Sequence, residues 1–220
     1  MPTGTLRVRP GAAPFVMLLL VVAVGLAACG GTGSTGGTGD SANPATQPPV
    51  ASTAVVETPE SETTESDADG WSTFTTEADG FSVEMPGEPE YITQSMDSAL
   101  GELTVHFFQI TVGTAYYAVS YNDYPVDMSA EDMDPDTLLG DALASAGGDS
   151  EPQNARRIEV QGNPGIEADM VVQETTHVWY RGVQANNRLY QLIAAAPESE
   201  KDALAGDVAR FVSSFTLLNP

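Results

Sequence analysis

Few side chains in this 220-residue sequence could carry chemistry, and their spacing sorts the options. A nucleophile, base and acid set needs a group that titrates near neutral pH, and His106 and His177 are the candidates. Each sits in an apolar stretch of strand character, Val105-His106-Phe107 and His177-Val178-Trp179-Tyr180, where a structural role is the expectation. No Gly-x-Ser-x-Gly elbow exposes a serine. The histidines are widely separated and cysteine occurs once, so the three or four ligands of a zinc site are not assembled. Asp132-Met133-Asp134-Pro135-Asp136 imitates the opening of a calcium loop, but Thr137 replaces the required glycine and Leu143 the closing glutamate. A helix cap explains these carboxylates more simply. Gly30 to Gly39 shares only the composition of a phosphate-cradling loop, with no strand before it and no lysine after it. The expectation is no catalytic residue, no metal and no cofactor.

What remains is an aromatic and arginine cluster: Trp179, Tyr180 and Arg181, with Arg188 and Tyr190 across a hairpin and Tyr116, Tyr117, Tyr121 and Tyr124 nearby. In an acidic protein such residues could line a ligand or protein contact. Core packing and protection of a sheet edge account for the same residues equally well.

Charge excludes one class of partner. All 31 acidic residues follow Asp40 or include it, whereas two of the eight basic residues, Arg7 and Arg9, lie in the first ten positions. Without those two arginines the chain carries six basic residues and a net charge of −25 rather than −23. Phosphate contacts need clustered Lys and Arg, so nucleic acid is not an expected partner. The same sign opposes a domain lying flat on an anionic bilayer, and its bland role is to keep a surface soluble.

The cysteine sits at an informative place. Arg7 and Arg9 precede the apolar run Phe15 to Leu26, and Ala27-Ala28 supply small residues, the three parts of an export signal. The run is shorter than the ~20 apolar residues a membrane-spanning helix needs. Leu26-Ala27-Ala28-Cys29 resembles the lipobox of bacterial lipoproteins. The resemblance implies that residues 1–28 are removed and that Cys29 becomes a lipidated amino terminus on the outer face of the cytoplasmic membrane. Two or three acyl chains, at about 0.8 kcal/mol per buried CH₂, hold a protein durably where one does not. With Cys29 acylated no disulfide can form within the chain, so stability rests on packing.

Residues 29–70 pass from Gly, Ser and Thr through Pro48-Pro49 to Glu57, Glu60, Glu62, Glu65, Asp67 and Asp69, with almost no large apolar side chain. Such composition cannot offset its own ordering entropy and predicts a flexible, disordered linker. It would span about 35 Å as a coil and at most about 140 Å extended.

Residues 71–220 have the length of one domain. Phe81-Ser82-Val83-Glu84-Met85 alternates with period two and predicts a strand, paired with a short one at Trp71 to Thr75 through Asp79-Gly80. Tyr91 to Ser95, Glu102 to Thr111 and Ala115 to Tyr121 read as further strands. Within the second, the apolar set changes parity at Phe107-Phe108, which calls for a bulge or for a strand covered on both faces. Asp134-Pro135 opens a helix, Leu138, Leu139, Ala142, Leu143 and Ala146 face inward, and Gly147-Gly148 ends it. Strands follow at Arg156 to Val160, Ile166 to Val172, Thr176 to Tyr180 and Arg188 to Ala194. Gly162-Asn163-Pro164-Gly165 is the expected turn between the first two, Asn186-Asn187 between the last two. Ser199 is the expected cap of a final helix with the stripe Leu204, Val208, Phe211, Val212 and Phe215. The order is strands, helix, strands, helix, and the fold class is α+β, a largely antiparallel sheet with two main helices packed on it.

Phe81 to Pro86, the aromatic strand before the first helix, Arg188 to Leu192 and Phe211-Val212-Ser213-Ser214-Phe215 together resemble the Mog1/PsbP-like domains of bacterial lipoproteins. The resemblance implies a sandwich fold and an accessory or binding role without catalytic groups, and it brings no functional residue with it. The expected protein is a non-enzymatic, lipid-anchored envelope protein whose partner is an unknown envelope protein or small molecule. A carboxylate-dependent envelope enzyme and a structural subunit of an envelope complex are the alternatives.

Overall fold

The computed structural model describes residues 61–64, 66–98, 101–124 and 134–218. The expected leader, Cys29, most of the expected linker, Asp132 and Met133 lie outside them. The hairpin β2 (Ser72–Thr76) and β3 (Phe81–Met85) forms as the alternation predicts, each strand burying every second residue. A two-residue strand β1 (Glu62–Thr63) pairs with the free edge of β2, and β11 (Thr216–Leu217) pairs with β3. Composition assigned all of 29–70 to linker; its last residues are instead paired to the domain. Backbone pairing to an exposed edge needs no apolar side chain, so composition could not reveal it.

The larger sheet has seven antiparallel strands in the order β4-β5-β6-β10-β9-β8-β7. They are β4 (Glu90–Ser98), β5 (Gly101–Val112), β6 (Ala115–Asp123), β7 (Gln153–Val160), β8 (Asn163–Val172), β9 (Thr176–Ala185) and β10 (Arg188–Pro197). Two meanders, β4-β5-β6 and β7-β8-β9-β10, are joined side by side through β6 and β10. Helix α1 (Pro135–Gly147) connects them, and α2 (Lys201–Ser214) follows β10. Asp134 caps α1 by accepting from the backbone N–H groups of Asp136 and Thr137, and Gly148, at φ 56°, ends it.

Each face of the large sheet has its own core. On one face Phe108, Tyr117, Val119, Tyr121, Tyr190 and Leu192 pack against Phe74, Phe81 and Met85 of the small sheet and Val208 and Phe211 of α2. On the other, Ile166, Met170, Val178, Tyr180, Leu189 and Ile193 pack against Leu138, Leu139, Ala142 and Leu143 of α1. Full burial of each such aliphatic side chain stabilises by about 1.5–3 kcal/mol. The parity change in β5 resolves here. The register with β4 and β6 runs unbroken, so there is no bulge. Leu103 packs on the α1 side and Phe108 on the other, and both are buried.

Two local expectations are corrected. The β7–β8 turn is Gln161-Gly162, at φ 49° and 82°, and Asn163, Pro164 and Gly165 already belong to β8. Two left-handed residues match the strand twist in a two-residue hairpin, and that geometry overrode the Pro-Gly signal. Gly165 is needed inside the sheet, since a Cβ there would lie 2.8 Å from the carbonyl oxygen of Gly182. Ser199 does not cap α2; it lies in a 3-10 turn, Glu198–Glu200, and Glu200 precedes the helix without a side-chain cap. Of the predicted stripe, Val208 and Phe211 are fully buried, Leu204 and Val212 are partly buried, and Phe215 is buried just beyond the helix.

Candidate functional site

The period of two along β8 and β9 turns Glu167, Asp169, Trp179 and Arg181 toward the face that α2 crosses. In register Glu167 lies opposite Arg181, and Asp169 opposite Trp179. Helix α2 packs on β3, β10 and β9, toward one side of a sheet that continues into β8 and β7. A groove of about 430 Å³ results, with Ala205, Val208, Ala209 and Val212 of α2 as its apolar wall and the charged strand residues as its floor. That volume lies within the range of small-molecule sites.

The floor is ordered by ion pairs. Arg181 donates from Nε to Glu167 Oε1 at 2.6 Å and from Nη1 to the Val212 carbonyl at 2.6 Å, which ties the sheet to α2. Glu167 also accepts from Arg181 Nη2 and from Arg156 Nη2, and its side chain is only 14% exposed. Asn154 Nδ2 donates to Asp169 Oδ2 at 3.0 Å. At the groove's end His177 packs edge-on against Trp179 at 4.4 Å, and its Nδ1 lies 2.8 Å from Glu198 Oε2. Lys201, and then His177, hold the Glu198 carboxyl below its ordinary range.

Arg188 and Tyr190 belong to a second locus on the same face. Arg188 binds Asp123 through two hydrogen bonds, 2.6 Å from Nε and 2.7 Å from Nη2, and lies 4.1 Å above the Tyr121 ring. Arg188 Nη1 and Tyr190 OH both donate to the Asp79 carbonyl, at 2.7 and 2.9 Å. The Asp79 carboxylate, 5% exposed, accepts from Tyr121 OH and, at 2.6 Å, from Thr76 Oγ1. His106 stacks on Tyr121 at 4.4 Å, and its Nδ1 lies 2.6 Å from Tyr91 OH. Burial lowers the His106 pKa and raises those of Tyr121 and Tyr190. These rings stay neutral at physiological pH and lock the β2–β3 turn to the sheet.

Tyr180 points the other way. It is buried in the α1-side core and donates to Gln191 Oε1 at 3.1 Å. Around it, at neighbouring register positions, Ser120, Asn122, Gln184 and Gln191 present buried polar atoms without a hydrogen-bond partner. Tyr116 donates to Gln109, Tyr117 packs on Trp71 and Phe211, and burial pushes both phenols up to about 12. The five residues grouped by sequence therefore divide: Trp179 and Arg181 line the groove, Arg188 and Tyr190 hold the turn, and Tyr180 faces α1. Adjacent strand residues point to opposite faces, so the side chains of Trp179 and Arg181 meet the groove while that of Tyr180 turns into the α1-side core. Sequence reasoning missed Arg156, Glu167 and Asp169; the two-residue spacing of the acids in Ile166-Glu167-Ala168-Asp169-Met170 was the available signal.

Among the described residues no group of three His, Cys, Asp or Glu is placed to hold a metal ion, and no helix is long and apolar enough to cross a membrane. Fold and site define an antiparallel α+β protein with a charged-floor groove between helix and sheet. No family model matches this chain, and no curated protein does. Among solved structures it is similar to cyanobacterial PsbP (CyanoP) from Synechocystis sp. PCC 6803, with a TM-score of 0.39 and 14% identity over 76% of this chain and 97% of that one. That likeness brings no residue role and no activity with it.

Proposed function

We propose that this protein is anchored by lipid on Cys29 to the outer face of a bacterial cytoplasmic membrane and displays a Mog1/PsbP-like domain as a non-catalytic binding module. The groove of about 430 Å³, with an apolar helical wall above an ion-paired floor, is the observation that carries the binding role. The export signal and the placement of the chain's sole cysteine support the anchor.

The alternatives lack such support. A carboxylate-dependent enzyme needs an acid held protonated by a raised pKa. Asp67, Glu84, Asp134 and Glu198 are all shifted downward, by hydrogen bonds from Arg210, Arg210, Thr137 and Lys201 respectively. An assembly subunit would present a large apolar patch. Among the described residues Val112, at 46%, is the large apolar side chain that is exposed.

Mass spectrometry of the membrane fraction tests the anchor. The expected mature chain begins at an acylated Cys29, and Cys29→Ala stays unprocessed or leaves the membrane. An unmodified cysteine, or an amino terminus elsewhere, would overturn the reading.

A further inference from the structure

The groove floor holds one cation with donors to spare and one anion with an acceptor to spare, on neighbouring strands. Every nitrogen of Arg181 is engaged, with Nε and Nη2 on Glu167 and Nη1 on the Val212 carbonyl. Arg156 gives only Nη2 to Glu167, and its side chain is 71% exposed. Asp169 accepts from Asn154 through Oδ2, and among the described residues Oδ1 accepts no hydrogen bond. Asp169 lies opposite Gln153 and Glu167 opposite Arg156, with the register shifting between Gln153 and Arg156, so Asp169 and Arg156 stand on adjacent strands about 7 Å apart along them and about 5 Å across.

We propose that this groove binds a small zwitterion with an apolar side chain, of the α-amino acid class, its ammonium on Asp169 and its carboxylate on Arg156. The side chain then packs between Trp179 and the wall made by Ala205, Ala209 and Val212. Dimensions agree: ammonium and carboxylate of an α-amino acid are about 3 Å apart, and a charge-assisted hydrogen bond adds about 2.8 Å at each end. Electrostatics agree as well. A simple anion is repelled by a chain of net charge −23, and a simple cation meets Arg156 and Arg181. A molecule of zero net charge feels neither penalty.

The inference rests on the folded part being a binding module, and its test is separate from that of the anchor. The full chain is titrated calorimetrically with L-phenylalanine, N-acetyl-L-phenylalanine and L-phenylalaninamide. L-Phenylalanine is expected to bind saturably, and each derivative, lacking one charge, at least about tenfold more weakly, which is about 1.4 kcal/mol. Asp169→Asn should weaken L-phenylalanine and abolish the discrimination against the N-acetyl derivative; Arg156→Gln should do the same for the amide. Ala209 is exposed, so Ala209→Trp should fill the groove and block binding while the melting curve stays cooperative. Absence of saturable binding, equal affinity for all three probes, or binding indifferent to the three variants would overturn the zwitterion. Preference for N-acetylphenylalanine would overturn it too, while leaving a binding module in place.

Discussion

Asp79 is the residue on which the two sheets are registered. Its carboxylate receives the hydroxyls of Tyr121 and Thr76, and its carbonyl receives Arg188 and Tyr190. Asp79→Ala would leave two buried hydroxyls without an acceptor and should destabilise by about 2–4 kcal/mol in urea unfolding. Asp79→Asn keeps an acceptor and should cost less. Nothing in the sequence marked Asp79 except its place before Gly80, because its partners come from strands far along the chain. His106 gives a pH-dependent counterpart. It packs against Tyr91 and Tyr121, with Asp79, Asp123 and Arg188 close enough to act on its charge. Burial is the leading cause of its lowered pKa, so the unfolded chain takes up the proton first as pH falls. Its contribution is complete above about pH 6.5, the unfolded value, and declines below it. Between pH 7.5 and 5.5 the His106→Gln variant should therefore lose less of its urea midpoint than the parent; identical losses would contradict this. On the opposite face, Ser120 Oγ is buried without a partner, and Ser120→Ala should be neutral or stabilising by up to about 1 kcal/mol.

Elements were far more legible than contacts. Helix α1 could be read almost to the residue, because its cap, its proline and its inward leucines are all local signals. Asp134→Ala should lower the melting temperature through the lost cap, whereas Ser199→Ala should leave it unchanged. Leu139, fully buried on the inward face of α1, should cost about 2.7–5 kcal/mol when cut to alanine. The start of α2 resisted prediction because a 3-10 turn without a side-chain cap precedes it. Glu200 there accepts a hydrogen bond from Thr114 on the β5–β6 turn instead of serving its own helix. The strand positions of Trp179 to Arg181 were readable, but which neighbours each would meet depended on strand order. Placing β10 between β6 and β9 is a long-range pairing that periodicity does not encode. The groove was invisible for the same reason, since α2, β7 and β8 meet only in the folded chain.

At the scale of the whole molecule, charge is distributed unevenly between partners and solvent. Arg156, Arg157, Arg181, Arg188, Lys201 and Arg210 are each ion-paired, so the described surface is acid set against neutralised base. Exposed pairs contribute about 0–1 kcal/mol apiece, whereas repulsion among the remaining carboxylates is summed over the molecule. Raising sodium chloride from about 0.01 M to about 0.5 M shortens the screening length from ~30 Å to under ~8 Å. The melting temperature should rise across that range; a fall would mean that the ion pairs outweigh the repulsion. The small strand β1 has a mechanical consequence. It grips β2 through two rungs and the neighbouring Thr64–Thr73 bonds, and the next fastening is Asp67, held by Trp71 and Arg210. A sideways tug on the amino-terminal side would part those rungs singly, before any load reached Trp71 and the buried layers. Letting go of residues 61–70 would pay out about 30 Å of slack. The globule could thus yield to peeling without unravelling, and refasten when the strain passes.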